Sequence, residues 1–233
     1  MTEPLQTGAY YHIYNRGNNG ENIFKEERNY FHFLKLYAKH IVPVADTFAY
    51  CLMRNHFHLM IRTHTFVEQV DHWRSLPDKQ KDLSGFQNLT GLNELQHDFT
   101  NLSSLSNFKP LDPSQCFSNL FNAYTKAINK AYKRTGSLFQ RPFGRVQVTS
   151  RAHFRRLLVY IHQNPQNHGF VKDFRTWPYS SYQTLCSLKQ TNLRRDDILT
   201  WFENWTYFRQ AHSYQIEQHQ LIYLVPEEFD DSN

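Results

Sequence analysis

Apolar and polar positions along the chain follow two periods, and the switches between them outline the elements. Residues 10–16, YYHIYNR, alternate with period two and are rich in tyrosine, which predicts a first strand. NRGNNG at 15–20 is a turn or loop. From Glu26 to His40 the period becomes helical, with Tyr30, Phe33, Leu34 and Tyr37 on one stripe and Pro43 just beyond. Thr47–Met53 predicts a second strand, Arg54 and Asn55 interrupt it, and His56–Thr63 continues as a third, so the two histidines lie beside a hairpin. Val67–Trp73 predicts a short helix, inside a polar, turn-rich stretch running from His64 to Cys116. Loops this long are functional or mobile as a rule.

Phe117–Arg134 is the clearest helix. Its stripe is Phe117, Leu120, Phe121, Tyr124, Ile128 and Ala131, and Gly136 stands at its end. Phe143–Val148 alternates as a fourth strand. Ser150 is placed to cap a helix through Phe154, Leu157, Leu158 and Ile161, with Pro165 as its predicted stop. Asp196–Phe208 predicts one more amphipathic helix, and the acidic last residues are expected to fray. The order predicts an α+β fold: an antiparallel sheet with helices packed on one face. The expected organisation is a catalytic unit over 1–182, with an insert at about 64–116, and a helical extension over 183–233. There is no internal repeat or low-complexity tract.

Composition narrows this picture. At 233 residues, 40% hydrophobic and 20% charged, the chain has material for one good core. No stretch approaches the roughly 18 apolar residues of a membrane span, and MTEPLQTGAYYHIYN has no apolar signal region. Cys51, Cys116 and Cys186 show neither metal spacing nor a disulfide framework. A cytoplasmic protein is expected, with no membrane partner. Net charge is +5, and its distribution says more: from Pro113 to Lys172 there are ten Lys or Arg and no Asp or Glu. A one-signed stretch of this kind suits phosphates, although a solvated basic face without a partner would read the same way.

His56 and His58 are the first chemical candidates. Alternation on a strand puts both imidazoles on one side and Phe57 and Leu59 on the other. Imidazoles suit Mn²⁺, Zn²⁺ or other borderline ions, and an added oxygen ligand extends the choice to Mg²⁺. The alternative is two partly buried, hydrogen-bonding histidines. Tyr160 and Asn164 are four apart and share a helical face. A tyrosine attacking a phosphodiester forms a covalent phosphotyrosyl link, and its ordinary pKa near 10 calls for a nearby cation. Otherwise Tyr160 is a core aromatic and Asn164 caps the helix before Pro165.

His12 shares its strand face with Tyr10 and Tyr14 and is a candidate to assist, or for simple burial. Arg16, Arg54 and Arg62 flank the expected site. Lys126, Lys130, Lys133, Arg134, Arg141, Arg145, Arg151, Arg155 and Arg156 are the best backbone-binding set. Phe139, Phe143 and Trp177 are candidate stacking surfaces or core. HFHLM lacks the Glu of a zincin, and there is no P-loop, dinucleotide fingerprint, zinc finger or nucleophile elbow, so no organic cofactor is expected.

Four ordered segments resemble one family. YHIYNRGNNGENIF, AYCLMRNHFHLMIR, SLFQRPFGRVQV and YIHQNPQNHGFV with WPYSSY are similar to segments of the REP-associated tyrosine transposases, a branch of the single-tyrosine, His-hydrophobic-His superfamily. They cover about 10–63 and 117–182. The resemblance implies a ferredoxin-like or RRM-like domain, often a homodimer, that cuts single-stranded DNA bearing hairpins through a 5′-phosphotyrosine link. It implies Mg²⁺ or Mn²⁺ held by His56, His58 and Asn164, Tyr160 as nucleophile, and a nucleoid-associated location. Arg54 departs from the family, which usually has proline there, and the 64–116 stretch is longer than the usual connection.

Two other functions compete: a catalytically silent DNA or RNA hairpin-binding protein, and an initiator of rolling-circle replication or plasmid transfer. Against the second stand the order, histidines before tyrosine, and the absence of a following helicase domain.

Overall fold

The computed structural model describes residues 3–77 and 109–214. Four strands form one sheet: β1 (Tyr10–Arg16), β2 (Ala45–Leu52), β3 (His56–Thr63) and β4 (Gly144–Val148). Among the described residues, seven α-helices accompany them: α1 (Glu27–His40), α2 (Phe66–Ser75), α3 (Pro113–Tyr132), α4 (Arg151–Asn167), α5 (Tyr182–Cys186), α6 (Arg195–Phe202) and α7 (Trp205–Ser213). The strand order is β2-β3-β1-β4, and every neighbouring pair is antiparallel. In the central pair, Tyr14 lies opposite His58 and Arg16 opposite His56.

Strand alternation sorts side chains onto two faces. Tyr11 and Ile13 of β1 join Phe57, Leu59 and Ile61 of β3 on the first face, and pack against α1 (Tyr30, Phe33, Tyr37) and α3 (Phe117, Leu120, Tyr124). Both helices are well started. Asn29 accepts from the backbone of Glu26 in a capping box. Asp112 caps α3 ahead of Pro113 at its first position.

Helices on one face were expected, and α1 and α3 meet that. The second face is covered too. Met60, Ala49 and Cys51 there pack against Phe154, Leu157, Leu158 and Ile161 of α4, with Leu185, Ile198, Phe202 and Phe208 from the C-terminal helices behind. A bulge between Thr47 and Ala49 lets β2 present Phe48 to this face. Phe154 meets Phe48 and Tyr10 edge-on and stacks on Trp201 at 4.2 Å. Burial this complete makes Phe154→Ala cost about 3–5 kcal/mol.

The outer edge of β2 is closed by the chain that follows α4. Leu52 N–H donates to the Tyr179 carbonyl, Ser181 N–H to Tyr50, and Arg194 N–H to Thr47. Capping an edge this way removes a surface for unwanted pairing.

Three boundaries differ from expectation. α3 ends at Lys133, which takes the left-handed conformation at φ 51°, three residues before Gly136. α4 runs through Pro165 to Asn167. The proline falls in the last turn, so it removes a single ladder bond, and its own carbonyl accepts from Phe170. The helix expected over Asp196–Phe208 is two helices, broken at Glu203 (φ 71°). Asn204 restarts the chain by accepting from Tyr207 N–H at 3.0 Å. Among the described residues, no helix is long and apolar enough to cross a membrane. Most of the expected insert (78–108) and the acidic tail lie outside the described residues.

Candidate active site

β3 delivers two imidazoles to the face covered by α4. His56 and His58 alternate with Phe57, which is locked into the opposite core. The strand is therefore held in register, since a slip of one residue would bury the histidines among α1 and α3. β1 adds His12 and Tyr14 to the same face. His12 Nε2 lies 2.9 Å from His58 Nδ1, and the two rings stack with centroids 5.1 Å apart. Tyr14 sits 4.9 Å from His12, ring to ring. The Tyr14 ring lies over Gly144 of β4, where a Cβ would meet it at 2.2 Å. Only glycine leaves room for the tyrosine there.

α4 supplies the other half. Ser150 caps it by accepting from His153 N–H, and its apolar stripe seats it on the sheet. Tyr160 and Asn164 fall on the side facing the histidines. The Tyr160 ring is edge-on to His58 at 5.3 Å and to His12 at 6.2 Å. Asn164 Oδ1 is 3.3 Å from His56 Nε2. Residues more than a hundred positions apart thus converge: Tyr160 and Asn164 of α4 meet His56 and His58 of β3.

The hydrogen bonds constrain the charge state. His56 Nδ1 is 2.7 Å from Asn55 Oδ1. With that oxygen assigned as acceptor, Nδ1 carries the proton and Nε2 of a neutral ring presents a lone pair. It faces another acceptor, Asn164 Oδ1. Two lone pairs facing each other are stabilised by a shared cation, or by a second proton on the imidazole. Asn164 Nδ2 is buried and without a hydrogen-bond partner; with the amide's oxygen and nitrogen exchanged, it would donate to the ring instead. One nitrogen and one oxygen donor beside a second imidazole suit a Mg²⁺ or Mn²⁺ ion. Among the described residues no group of three His, Cys, Asp or Glu is arranged to hold a metal; a set here would depend on the amide oxygen.

Access is restricted. Tyr160 is 2% exposed and His58 and Asn164 are fully buried, while His56 reaches 8%.

The arginines and lysines divide into groups. Arg16 is half-buried opposite His56, and Arg54 is exposed at the turn before it. Arg62 does not flank the site. It lies at the other end of β3, about 20 Å along the strand from His56, and ion-pairs with Asp46 and Glu68. Burial pushes the Asp46 carboxyl up, but His64, Arg194 and Arg62 together hold it below its ordinary value.

Arg134 is bound to Glu21 and Asn129, and Arg151 and Arg155 share Glu203. Lys126, Lys130, Lys133 and Arg156 are exposed. Arg141 donates to Asn122, and Arg145 lies 3.8 Å over the Phe143 ring. The lysines of α3 and the arginines of α4 lie on helices covering opposite faces of the sheet, so the acid-free stretch does not fold into one stripe. Phe139, Phe143 and Trp177 are all buried core residues, and Trp177 Nε1 donates to the Leu52 carbonyl.

Two contacts escaped the sequence reading. His168, the residue after α4, is edge-on to His56 at 4.8 Å. His162, on the far side of α4, is hydrogen-bonded to His212 of α7 at 2.8 Å and to Ser181 at 2.8 Å. Burial holds both of these imidazoles below their ordinary pKa, His212 at about 4. No sequence spacing announces either pairing, since each crosses a turn or a loop.

No family model matches the sequence, and no curated protein matches it. Among solved structures, one described as a REP-associated tyrosine transposase bound to a REP hairpin is similar at 15% identity. The match covers 80% of this chain and 83% of that one, with a TM-score of 0.48.

Proposed function

We propose that this chain is a divalent-metal-dependent tyrosine DNA endonuclease and strand transferase acting on single-stranded DNA hairpins. The observation that carries the reading is the meeting of Tyr160 and Asn164 with His56 and His58 across the α4–β3 interface. The βαββαβ order with strands 2-3-1-4 supports a ferredoxin-like or RRM-like reading of the domain.

His56, His58 and Asn164 would hold the Mg²⁺ or Mn²⁺ ion, which when bound would polarise the scissile phosphate and offset the charge that builds on it. His12 fixes the ring plane of His58, and Asn55 sets the tautomer of His56. Tyr160 attacks phosphorus: the bond to its phenolic oxygen forms and the bond to O3′ breaks. The phenolic proton is lost, and the leaving 3′ oxygen takes one up as a hydroxyl. The 5′ phosphate stays on Tyr160, and attack by a 3′-OH reverses the step. Arg16 and Arg54, near His56, steady the backbone of the strand. Because Tyr160 is buried, the site opens before DNA reaches it.

That burial also favours a second reading, a hairpin-binding protein that performs no cleavage. Hairpin oligonucleotides labelled at the 5′ or 3′ end, incubated with Mn²⁺, Mg²⁺ or EDTA, separate the two. A covalent adduct to the 5′ phosphate that needs metal and vanishes in Tyr160→Phe is the expected result. Hairpin binding with no adduct across many sequences would replace the nuclease with the silent binder.

A further inference from the structure

On the opposite face of the sheet, α3 and the segment leading into β4 enclose a cavity of about 240 Å³. Its lining is chemically uneven in an informative way. Ser118, Asn122 and Thr125 form one polar stripe of α3, and Asn15 and Gln140 complete a set of uncharged donors and acceptors. Two guanidiniums, Arg141 and Arg145, stand at the wall, and no carboxylate does. The apolar part is aromatic: Phe121, Phe139 and Phe143.

We infer that this cavity takes one unpaired nucleotide of the bound DNA strand, its base among the phenylalanines and amides and its phosphate on Arg141. The inference rests on the DNA-binding part of the proposed function, not on the cleavage chemistry. Phe121, Phe139 and Phe143 are core rings whose small exposed parts line the cavity; an aromatic lining suits any base, and amide and hydroxyl groups match the hydrogen-bonding edges of bases. Two guanidiniums in a lining that, among the described residues, holds no carboxylate fit a phosphate and disfavour a cationic ligand.

The guanidiniums are poised for an anion. Arg145 is stacked on Phe143 and donates from Nη1 to the Glu3 carbonyl at 3.0 Å, while its Nε is buried without a hydrogen-bond partner. Burial lowers its pKa, and the Asp112 carboxylate, which is outside the cavity lining, offsets part of that shift. Arg141 donates to the neutral Asn122 Oδ1 at 3.1 Å.

The cavity is also well placed. Asn15 lies in β1 between Tyr14 and Arg16, the residues opposite His58 and His56. Gln140 N–H donates to the Arg16 carbonyl at 3.0 Å, and Asn15 Nδ2 to the Gln140 carbonyl at 3.2 Å. A strand crossing the end of β1 past Arg16 passes from one site to the other.

The test titrates the full chain with each of the four deoxynucleoside 5′-monophosphates, followed by NMR, with 2-deoxyribose 5-phosphate as the base-free control. At least one nucleotide is expected to bind about tenfold more tightly than the control, the scale of one base stacked on an aromatic wall. Thr125→Trp, which fills the cavity, is expected to abolish the difference. The milder, exposed Asn122→Ala should change the ranking of the four bases. A single-stranded dodecamer should displace the nucleotide, and a blunt duplex should not.

Equal binding of sugar phosphate and all nucleotides would overturn the inference, leaving an anion site only. So would binding that survives Thr125→Trp. Displacement by neither DNA would assign the cavity to free nucleotides and overturn the strand assignment. Tyr160→Phe should bind nucleotides as the parent does, so loss of the adduct reading leaves this result standing.

Discussion

His12 on β1 and His58 on β3 share a 2.9 Å hydrogen bond between Nε2 and Nδ1, and both side chains are fully buried. The bond crosses the central strand pair diagonally, since His12 lies opposite Met60. It fixes both the tilt of the His58 ring and which of its nitrogens is engaged. A histidine that began as an uncommitted neighbour thus becomes a positioning residue.

Under the proposed function, replacing His12 should therefore be felt at the metal. His12→Leu is expected to weaken Mn²⁺ binding about 10–100-fold, the usual effect of removing a partner behind a ligand. His12→Gln, which keeps a polar atom at similar reach, should recover part of that loss. Calorimetric titration of Mn²⁺ into each protein measures it; equal affinities in parent and Leu variant would remove His12 from the role.

Gly144→Ala tests the support under Tyr14. The added methyl overlaps the ring at 2.2 Å, so the variant should lose about 1–3 kcal/mol in urea unfolding through overpacking. Tyr14→Ala removes the clash. The two costs should then be non-additive, with the double variant more stable than their sum predicts. Additive costs would mean that the ring does not depend on the glycine.

Stability should fall in mild acid because of the His162–His212 pair. Both folded pKa values are depressed, His212 from 6.5 to about 4 and His162 in the same direction. The unfolded chain therefore binds protons that the folded one does not. The contribution is complete above about pH 6.5 and is lost as pH falls from there through the folded values. Urea unfolding at a series of pH values should show a slope on the order of 1 kcal/mol per pH unit for each proton. In His212→Leu, fewer protons are linked and the slope should be shallower. A parent slope unchanged by this substitution would point to other groups.

Glu203→Gln should act on binding more than on stability. Glu203 engages Arg151 and Arg155 at an exposed position, and such pairs contribute only about 0–1 kcal/mol each. Removing the negative charge beside both arginines, which keep their hydrogen bonds to the Trp201 carbonyl, should tighten single-stranded DNA binding and steepen its salt dependence, by roughly 0.7 in log–log slope per added phosphate contact. Anisotropy titrations at several salt concentrations report this directly, and an unaltered slope would place these arginines away from the strand.

Much of this arrangement was legible because it rests on short-range rules. The period of two in HFHLMIR placed His56 and His58 together, and the spacing of four placed Tyr160 with Asn164. What no local pattern states is which sheet face a helix covers. α4 was expected beside α1 and α3, yet it lies across the sheet from them. One signal existed: β3 is apolar or histidine at every position from 56 to 61, as a strand buried on both faces should be. Arg62 was misplaced for a related reason, because proximity in sequence along an extended strand means distance in space. The break at Glu203 turned on a single residue with positive φ, where Asn204 was the legible half of the junction.

α4 faces two ways. Tyr160 and Asn164 look toward the sheet, while His162 and Gln163, between them in the chain, are tied to α7. Gln163 Nε2 donates to the carbonyls of His212 and Tyr214. The residues that finish the described chain and the candidate nucleophile are therefore neighbours through one turn of helix. A chain cut before Trp205 would be a different molecule at position 160, not a shorter copy of the same one.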